Sequence, residues 1–263
     1  MHEPASYYIP LGGGRYQPTR HTQGAWNPDE QHMGPVAGLM AHAIDTHEPR
    51  PGMLLCRINY EILGMILAER NHIEVQTIRP GRTIELVEAT LSVQDQPVIR
   101  ARAWRLAAHD TAAVAGGSPE PIPGPDDMPE WLGTGVWGGG YIASLDFRAA
   151  AANRPGRGQA WIRSRVGLVE GVESSDTARF VTLLDTANGI ATRQDPRDWL
   201  YPNVDLGIHL HRQPRAGWVG FDTSVAFGPA GLGVTSSTVY DVDGAVGRVE
   251  QMLTVRPTPS PGS

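Results

Sequence analysis

Apolar positions along the chain follow two rhythms. Val36, Leu39, Met40, Ala43 and Ile44 fall at i, i+3, i+4, i+7 and i+8, which places them on one face of a helix. Pro35 suits its first turn, where no amide hydrogen is needed. The period then drops to two, and residues 54–63, 71–78, 83–93 and 98–106 read as strands. The polar turn Gln94-Asp95-Gln96 joins the last two into an antiparallel hairpin. The same order returns later. A helix is expected from Asp176, with Phe180, Leu183, Leu184 and Ala187 on one face and Ser174, Ser175 or Asp176 as its cap. Strands at 204–210, 218–226, 233–240 and 246–256 follow, the last two joined by Asp241-Val242-Asp243-Gly244.

Laying Asp95 on Asp243 gives an offset of 148, which also brings Val98 onto Val246 and Arg100 onto Arg248. Two copies of one helix-then-sheet unit are therefore expected, within an α+β fold class. Residues 116–130 (GGSPEPIPGPDDMPE) hold five prolines in fifteen positions and cannot carry a helix or a central strand. The expected division is a first unit over 1–112, a linker over 113–130, a second unit over 131–257 and a disordered tail over 258–263. A loop is expected over 149–158 inside the second unit.

The chain has 263 residues, 22 basic against 28 acidic, for a formal net charge of −6. That balance argues against binding nucleic acid or an anionic membrane, which rests on a basic face. All the basic residues are arginine, so Schiff-base and phosphate-loop lysine chemistry is excluded. The one cysteine, Cys56, cannot form an internal disulfide and reads as a small buried hydrophobe. No secretory signal and no window approaching 18 apolar residues is present, from which a cytoplasmic protein is expected.

In the last strand, alternation puts Val249, Gln251, Leu253 and Val255 on one face. Gln251 thus points a carboxamide toward the apolar side, where it costs about 1 to 3 kcal/mol unless something polar meets it. The offset of 148 places Ala103 at the equivalent position, so this polar device occurs once. Asp205, at the start of a strand, can activate or align a water if held close to it, or can simply close an Asx turn after Pro202-Asn203.

A sheet wrapped round one long helix, present twice, is the double hotdog architecture, in which the two halves form a pseudo-dimer. The segments His32-Met33-Gly34-Pro35-Val36-Ala37-Gly38, Asn203-Val204-Asp205, Leu210-His211-Arg212-Gln213-Pro214 and Glu250-Gln251 resemble the type II acyl-CoA thioesterases. The resemblance covers roughly 24–256. It implies hydrolysis of an acyl-CoA or acyl-carrier thioester without metal or cofactor, Asp205 acting on the attacking water and Gln251 holding it. It also implies a hydroxyl on the strand between them. Ala226 falls at that position here, leaving Thr223 or Ser224 as candidates. Free amides at the first helix start, around Met33, Gly34 and Val36, are candidates for polarising the carbonyl. His32, Arg163 and Arg165 are candidates for substrate binding, the arginines toward phosphates. Further association into a homo-oligomer is expected by analogy with the fold.

Other readings stay open on the same residues. Asp205, His209 and His211 share a strand face that zinc can use, although His211-Arg212 fits a metal-free thioesterase pattern. Asp205-x-x-x-His209 also resembles an element of dehydratases built on the same fold, whose companion histidine motif is missing. An enoyl-thioester hydratase or dehydratase would need a histidine in the tunnel, such as His32 or His209. A non-catalytic acyl-thioester or lipid binder would leave Asp205 facing solvent. Gly133-Thr134-Gly135-Val136-Trp137-Gly138 fits the dinucleotide fingerprint in spacing alone, because no strand precedes it.

Overall fold

The computed structural model describes residues 5–259. The first half runs β1 (Ser6–Gly12), β2 (Arg15–Pro18), α1 (Met33–Thr46), β3 (Met53–Ile62), β4 (Asn71–Arg79), β5 (Ile84–Val93) and β6 (Gln96–Ala107). The second runs α2 (Gly140–Ala143), β7 (Leu145–Ala149), β8 (Arg157–Ser164), β9 (Gly167–Val169), α3 (Asp176–Leu184), α4 (Ala187–Ile190), β10 (Trp199–Leu200), β11 (Asp205–Leu210), β12 (Val219–Phe227), β13 (Leu232–Asp241), β14 (Gly244–Thr254) and β15 (Arg256–Pro257).

Among the described residues thirteen strands form one sheet in the order β7-β8-β12-β13-β14-β11-β3-β6-β5-β4-β2-β1-β9. Read outward from the middle, β3-β6-β5-β4-β2-β1 on one side mirrors β11-β14-β13-β12-β8-β7 on the other. The two expected sheets are thus one, joined where β3 and β11 pair antiparallel. Asn59 pairs with Gly207 there, and 59 + 148 = 207, so the pair sits on the pseudo-twofold axis. β9 crosses from the second half to pair in parallel with β1, tying the far edge down.

The strand periods are realised as alternating burial. In β6 Ile99, Ala101 and Ala103 are buried and in β14 Val249, Gln251 and Leu253 are buried, as the offset requires. Gln94 and Asp95 take positive φ (51° and 60°) in the β5–β6 turn, the backbone twist a two-residue hairpin needs. The helix α1 lies against β3, β4 and β5, and α3 and α4 lie against β8, β12 and β13.

α1 and α3 pack on each other through a close approach at two glycines. A Cβ on Gly34 would stand 2.7 Å from the Thr182 carbonyl oxygen, and one on Gly38 would overlap the Thr182 side chain. The approach brings the start of α1 to the end of α3, and this juxtaposition builds the site.

Several expectations are corrected. The second helix ends at Leu184, and Ala187 opens α4 instead of continuing the face. The expected tail is held at its start, where the Thr258 amide donates to the Asp198 carbonyl just beyond Arg256 and Pro257, which pair with Leu200 and Trp199. The last four residues, 260–263, lie outside the described ones. Cys56 is only half-buried, at a β3 bulge, with its Sγ donating to the Trp104 carbonyl. The Pro-rich segment is strapped to the second half, where the Trp161 indole donates to Pro123 (2.7 Å) and Met128 is buried. Among the described residues no helix is long and apolar enough to cross a membrane.

Candidate active site

Asp185 caps the end of α3 and is 4% exposed. A carboxylate at a helix C-terminus opposes the helix dipole, and burial removes its water as well. Desolvation accordingly pushes its pKa up from 3.8 to about 7, against the opposing pull of two hydrogen bonds. Those bonds come from Asn203 Nδ2 and Gln251 Nε2, each donating to Oδ1 at 2.9 Å. The buried amide of Gln251 therefore meets the polar partner its position demands, and that partner is Asp185.

The second carboxyl oxygen, Oδ2, lies 3.3 Å from Nδ1 of His32. His32 is the N-cap of α1, and the same Nδ1 accepts the Gly34 amide hydrogen at 3.0 Å. Its ring packs on Tyr141, with centroids 4.2 Å apart. Burial pushes the imidazole down to about 3, so it is neutral and its contact with Asp185 is no ion pair. Nδ1 spends its lone pair on the Gly34 hydrogen and has no hydrogen of its own to give, so the ring offers Oδ2 of Asp185 no hydrogen bond.

Across the strand pair, Thr235 stands directly opposite Gln251. Both side chains are buried, and Thr235 Oγ1 and Gln251 Oε1 have no partner among the described residues. Two unpaired polar atoms beside a poised carboxyl are places for a water or a substrate atom. The internal repeat supplies a control. Thr223, Thr235, Ser237 and Gln251 correspond by the offset of 148 to Val75, Val87, Ala89 and Ala103. The polar set is therefore local to one half.

A small aromatic pocket opens beside His32 and Thr186, walled by Trp26, Trp131, Trp137 and Phe147. Trp131 and Phe147 also border a wider cleft of about 530 Å³ that contains Arg148, Arg163 and Arg165. These cations are partly answered: Arg163 and Arg165 each reach Asp146 at 2.8 Å, and Arg148 reaches Glu130 at 3.2 Å. Arg163 also stacks on Trp218 at 4.7 Å.

The structure separates several of the residues expected at the site. Asp205 does not meet Gln251; its Oδ1 accepts the Met252 amide hydrogen at 2.6 Å and pins the start of β11 to β14. The carboxylate that meets Gln251 is Asp185. The Thr223 hydroxyl is satisfied by Ser237 (2.7 Å), Ser224 bonds the Ser236 carbonyl (3.4 Å), and Ala226 faces outward, so Thr235 is the hydroxyl beside Gln251. The amide of Gly34 is spent on His32 and is not free for a carbonyl, while Met33 lies buried behind it. Among the described residues no group of ligands fit for a metal occurs, and His211 instead contacts the Ser118 hydroxyl at 3.2 Å. The residues 133–135 form a single 3₁₀ turn, in keeping with the rejected fingerprint.

The chain matches the acyl-CoA thioesterase N-terminal domain over residues 22–106 and the C-terminal domain over residues 91–255. Among solved structures it is similar to a protein of unknown function with a hot dog fold from Alicyclobacillus acidocaldarius. That match has 14% identity and TM-score 0.75, covering 95% of this chain and 96% of that one. It is also similar to the acyl-CoA thioesterase II TesB2 from Mycobacterium marinum (17% identity, TM-score 0.68, 97% and 96% covered). A dehydratase domain of the curacin polyketide synthase matches with 12% identity, TM-score 0.53 and 99% of each chain covered. No curated protein matches significantly. The fold is a hotdog fold. The chain belongs to the acyl-CoA thioesterase family and is a thioester hydrolase.

Proposed function

We propose that the protein, as a double hotdog whose halves form an internal pseudo-dimer, hydrolyses an acyl-CoA by general-base attack of water, with Asp185 as the base. The observation that carries this is the buried Asp185 carboxyl, fixed at Oδ1 by two amides and raised to about 7, which is the poise a general base needs near neutrality. Oδ2 removes one hydrogen from the water as its oxygen attacks the thioester carbon. Gln251 Oε1 accepts the other hydrogen, and the Thr235 hydroxyl completes the cradle. The tetrahedral intermediate then expels the thiolate, which takes the proton held on Asp185, leaving a carboxylic acid and a free thiol.

The aromatic cavity beside His32 receives the apolar end of the substrate next to the thioester, and the arginine cleft beyond Trp131 and Phe147 receives the phosphates of CoA. Three arginines against two carboxylates leave that cleft cationic. The test is free-thiol release over a panel of acyl-CoAs for wild type, Asp185→Asn and Asp205→Asn. A loss of about 100-fold or more is expected for the first, and near-wild-type turnover for the second. The reverse order would return the role to Asp205.

One observation favours hydration or dehydration of an enoyl or hydroxyacyl thioester: His32 lies beside the cavity. That chemistry needs a histidine nitrogen free to take a proton from carbon. The Nδ1 lone pair of His32 is engaged by Gly34, which puts the hydrogen on Nε2 and supports hydrolysis as the main reaction. Loss of enoyl absorbance from an enoyl-CoA, at a rate matching thiol release, would reverse that preference.

A further inference from the structure

We infer that the Nε2–H of His32 is the donor that polarises the thioester carbonyl, replacing the helix-start amide that usually suggests itself for this task. The inference rests on the hydrolase reading above and assigns a residue within it.

Three observations carry it. First, the Gly34 amide, the natural donor at the start of α1, points at His32 Nδ1 from 3.0 Å and cannot serve the substrate. Second, because Nδ1 accepts that hydrogen, the neutral ring must hold its own hydrogen on Nε2, on the other side of the imidazole. Among the described residues Nε2 has no partner, and the ring lines the aromatic cavity next to Asp185. Third, the ring cannot swing away: it is clamped by the α1 amide on one side and packed on Tyr141, whose hydroxyl is fixed to the Thr182 carbonyl at 2.7 Å.

The imidazole therefore stands between the positive end of a 14-residue helix and the substrate, and passes that polarity on without carrying a charge. A neutral imidazole held at a helix N-terminus is an effective electrophile toward a carbonyl. It also fits a base on the same wall, because an imidazolium at 3.3 Å would hold Asp185 ionised and lower its basicity. As water attacks, charge grows on the carbonyl oxygen, and the Nε2–H bond to it shortens and strengthens without proton transfer.

The experiment has two readouts. The full chain labelled with ¹⁵N-histidine reports the tautomer, before and after addition of a dethia acyl-CoA, a ketone in which CH₂ replaces the thioester sulfur. Histidine 32 is assigned by the loss of its signals in His32→Asn. An Nε2–H tautomer that persists over roughly pH 5 to 9 is expected, with the Nε2 signals shifting when the ketone binds. In the thiol-release assay His32→Asn keeps an N-cap for Gly34 and so keeps its melting temperature, but loses about 10² to 10³-fold in kcat. An imidazolium, an Nδ1–H tautomer or Nε2 signals unmoved by saturating ketone would overturn the assignment. So would a folded His32→Asn with kcat within about threefold of wild type. If wild type releases no thiol from any acyl-CoA, the hydrolase reading falls, and the ketone shift alone decides the role of His32.

Discussion

Replacing Asp185 by asparagine should make the protein inactive and more stable at once. The amide oxygen still accepts from Asn203 and Gln251, and its NH₂ takes the place of the carboxyl oxygen that lies 3.3 Å from His32 Nδ1. Both hydrogen bonds survive, and the buried charge disappears. With a pKa of 3.8 when exposed and about 7 in the fold, ionised Asp185 costs the folded state up to about 4 kcal/mol at pH 8, taking 1.36 kcal/mol per pH unit. If half of that survives relaxation, about 2 kcal/mol remains, or a rise of roughly 4 to 8 °C in Tm for a chain of this size. The sign follows from linkage: the folded state holds the proton more tightly, so wild-type stability falls as pH rises from about 4 to about 7. The asparagine advantage should accordingly be absent near pH 4, grow through pH 7 and level off above it. Thermal melts of both proteins at pH 5, 6, 7 and 8, read by circular dichroism, measure this difference. An advantage independent of pH, or a less stable variant at pH 8, would refute the claim that Asp185 is a strained buried carboxyl.

The same carboxyl sets the pH dependence of turnover: kcat/KM should rise tenfold per pH unit below about 7 and flatten above it, and a flat profile between pH 5 and 8 would exclude Asp185 as base. Thr235→Val removes a buried hydroxyl that has no partner, so Tm should hold or rise slightly while kcat drops about tenfold, the loss expected when a water loses one of its holders. Unchanged kcat would remove Thr235 from the site. Gly38→Ala drives a methyl into the Thr182 side chain and should cost about 3 kcal/mol, seen as a fall in the urea midpoint with little change in m.

Much of the fold could be read from the sequence because its signals are local. The helix α1 and the strands β3 to β6 and β11 to β14 lie within a few residues of the periodic runs that announce them, and the offset of 148 survives as the register of the sheet. The edges were not legible. β1 and β2 are short and flank Gly12-Gly13-Gly14, and β8 carries Arg157, Gly158 and Arg163 among its apolar residues. No period-two pattern of useful length develops in any of them. Gln251 announced itself because a polar residue broke an apolar face. Asp185 did not, since the helical face seemed to run on to Ala187 and hid an acid beside it. Its signal was positional: an aspartate ending a helix, against the dipole, in Leu184-Asp185-Thr186. Asp205 stood out by its place in a motif, and the pairing of β11 with β14 brings it to the Met252 amide, away from Gln251.

The repeat gives a reason for one site in place of two. Ile44-Asp45-Thr46 ends α1 as Leu184-Asp185-Thr186 ends α3, and each aspartate meets the N-cap of the other helix. Asp45 takes a 2.6 Å bond from Ser175, which caps α3, just as Asp185 faces His32, which caps α1. Burial raises Asp45 as well, though Ser175 and Arg105 oppose the rise. What separates the two places is their surroundings: the sheet offers Ala103 and Val87 where the second half offers Gln251 and Thr235. A serine cap also presents no second nitrogen to a substrate. A carboxyl at a helix end is thus what the architecture supplies twice, whereas the amides, the hydroxyl and the imidazole around it are supplied once, which is why the proposed base is Asp185 and not Asp45. Asp45→Asn should therefore leave kcat within about twofold of wild type where Asp185→Asn abolishes it. A comparable loss in both variants would mean that the two halves share the chemistry, and that the polar residues around Asp185 are not what makes a site.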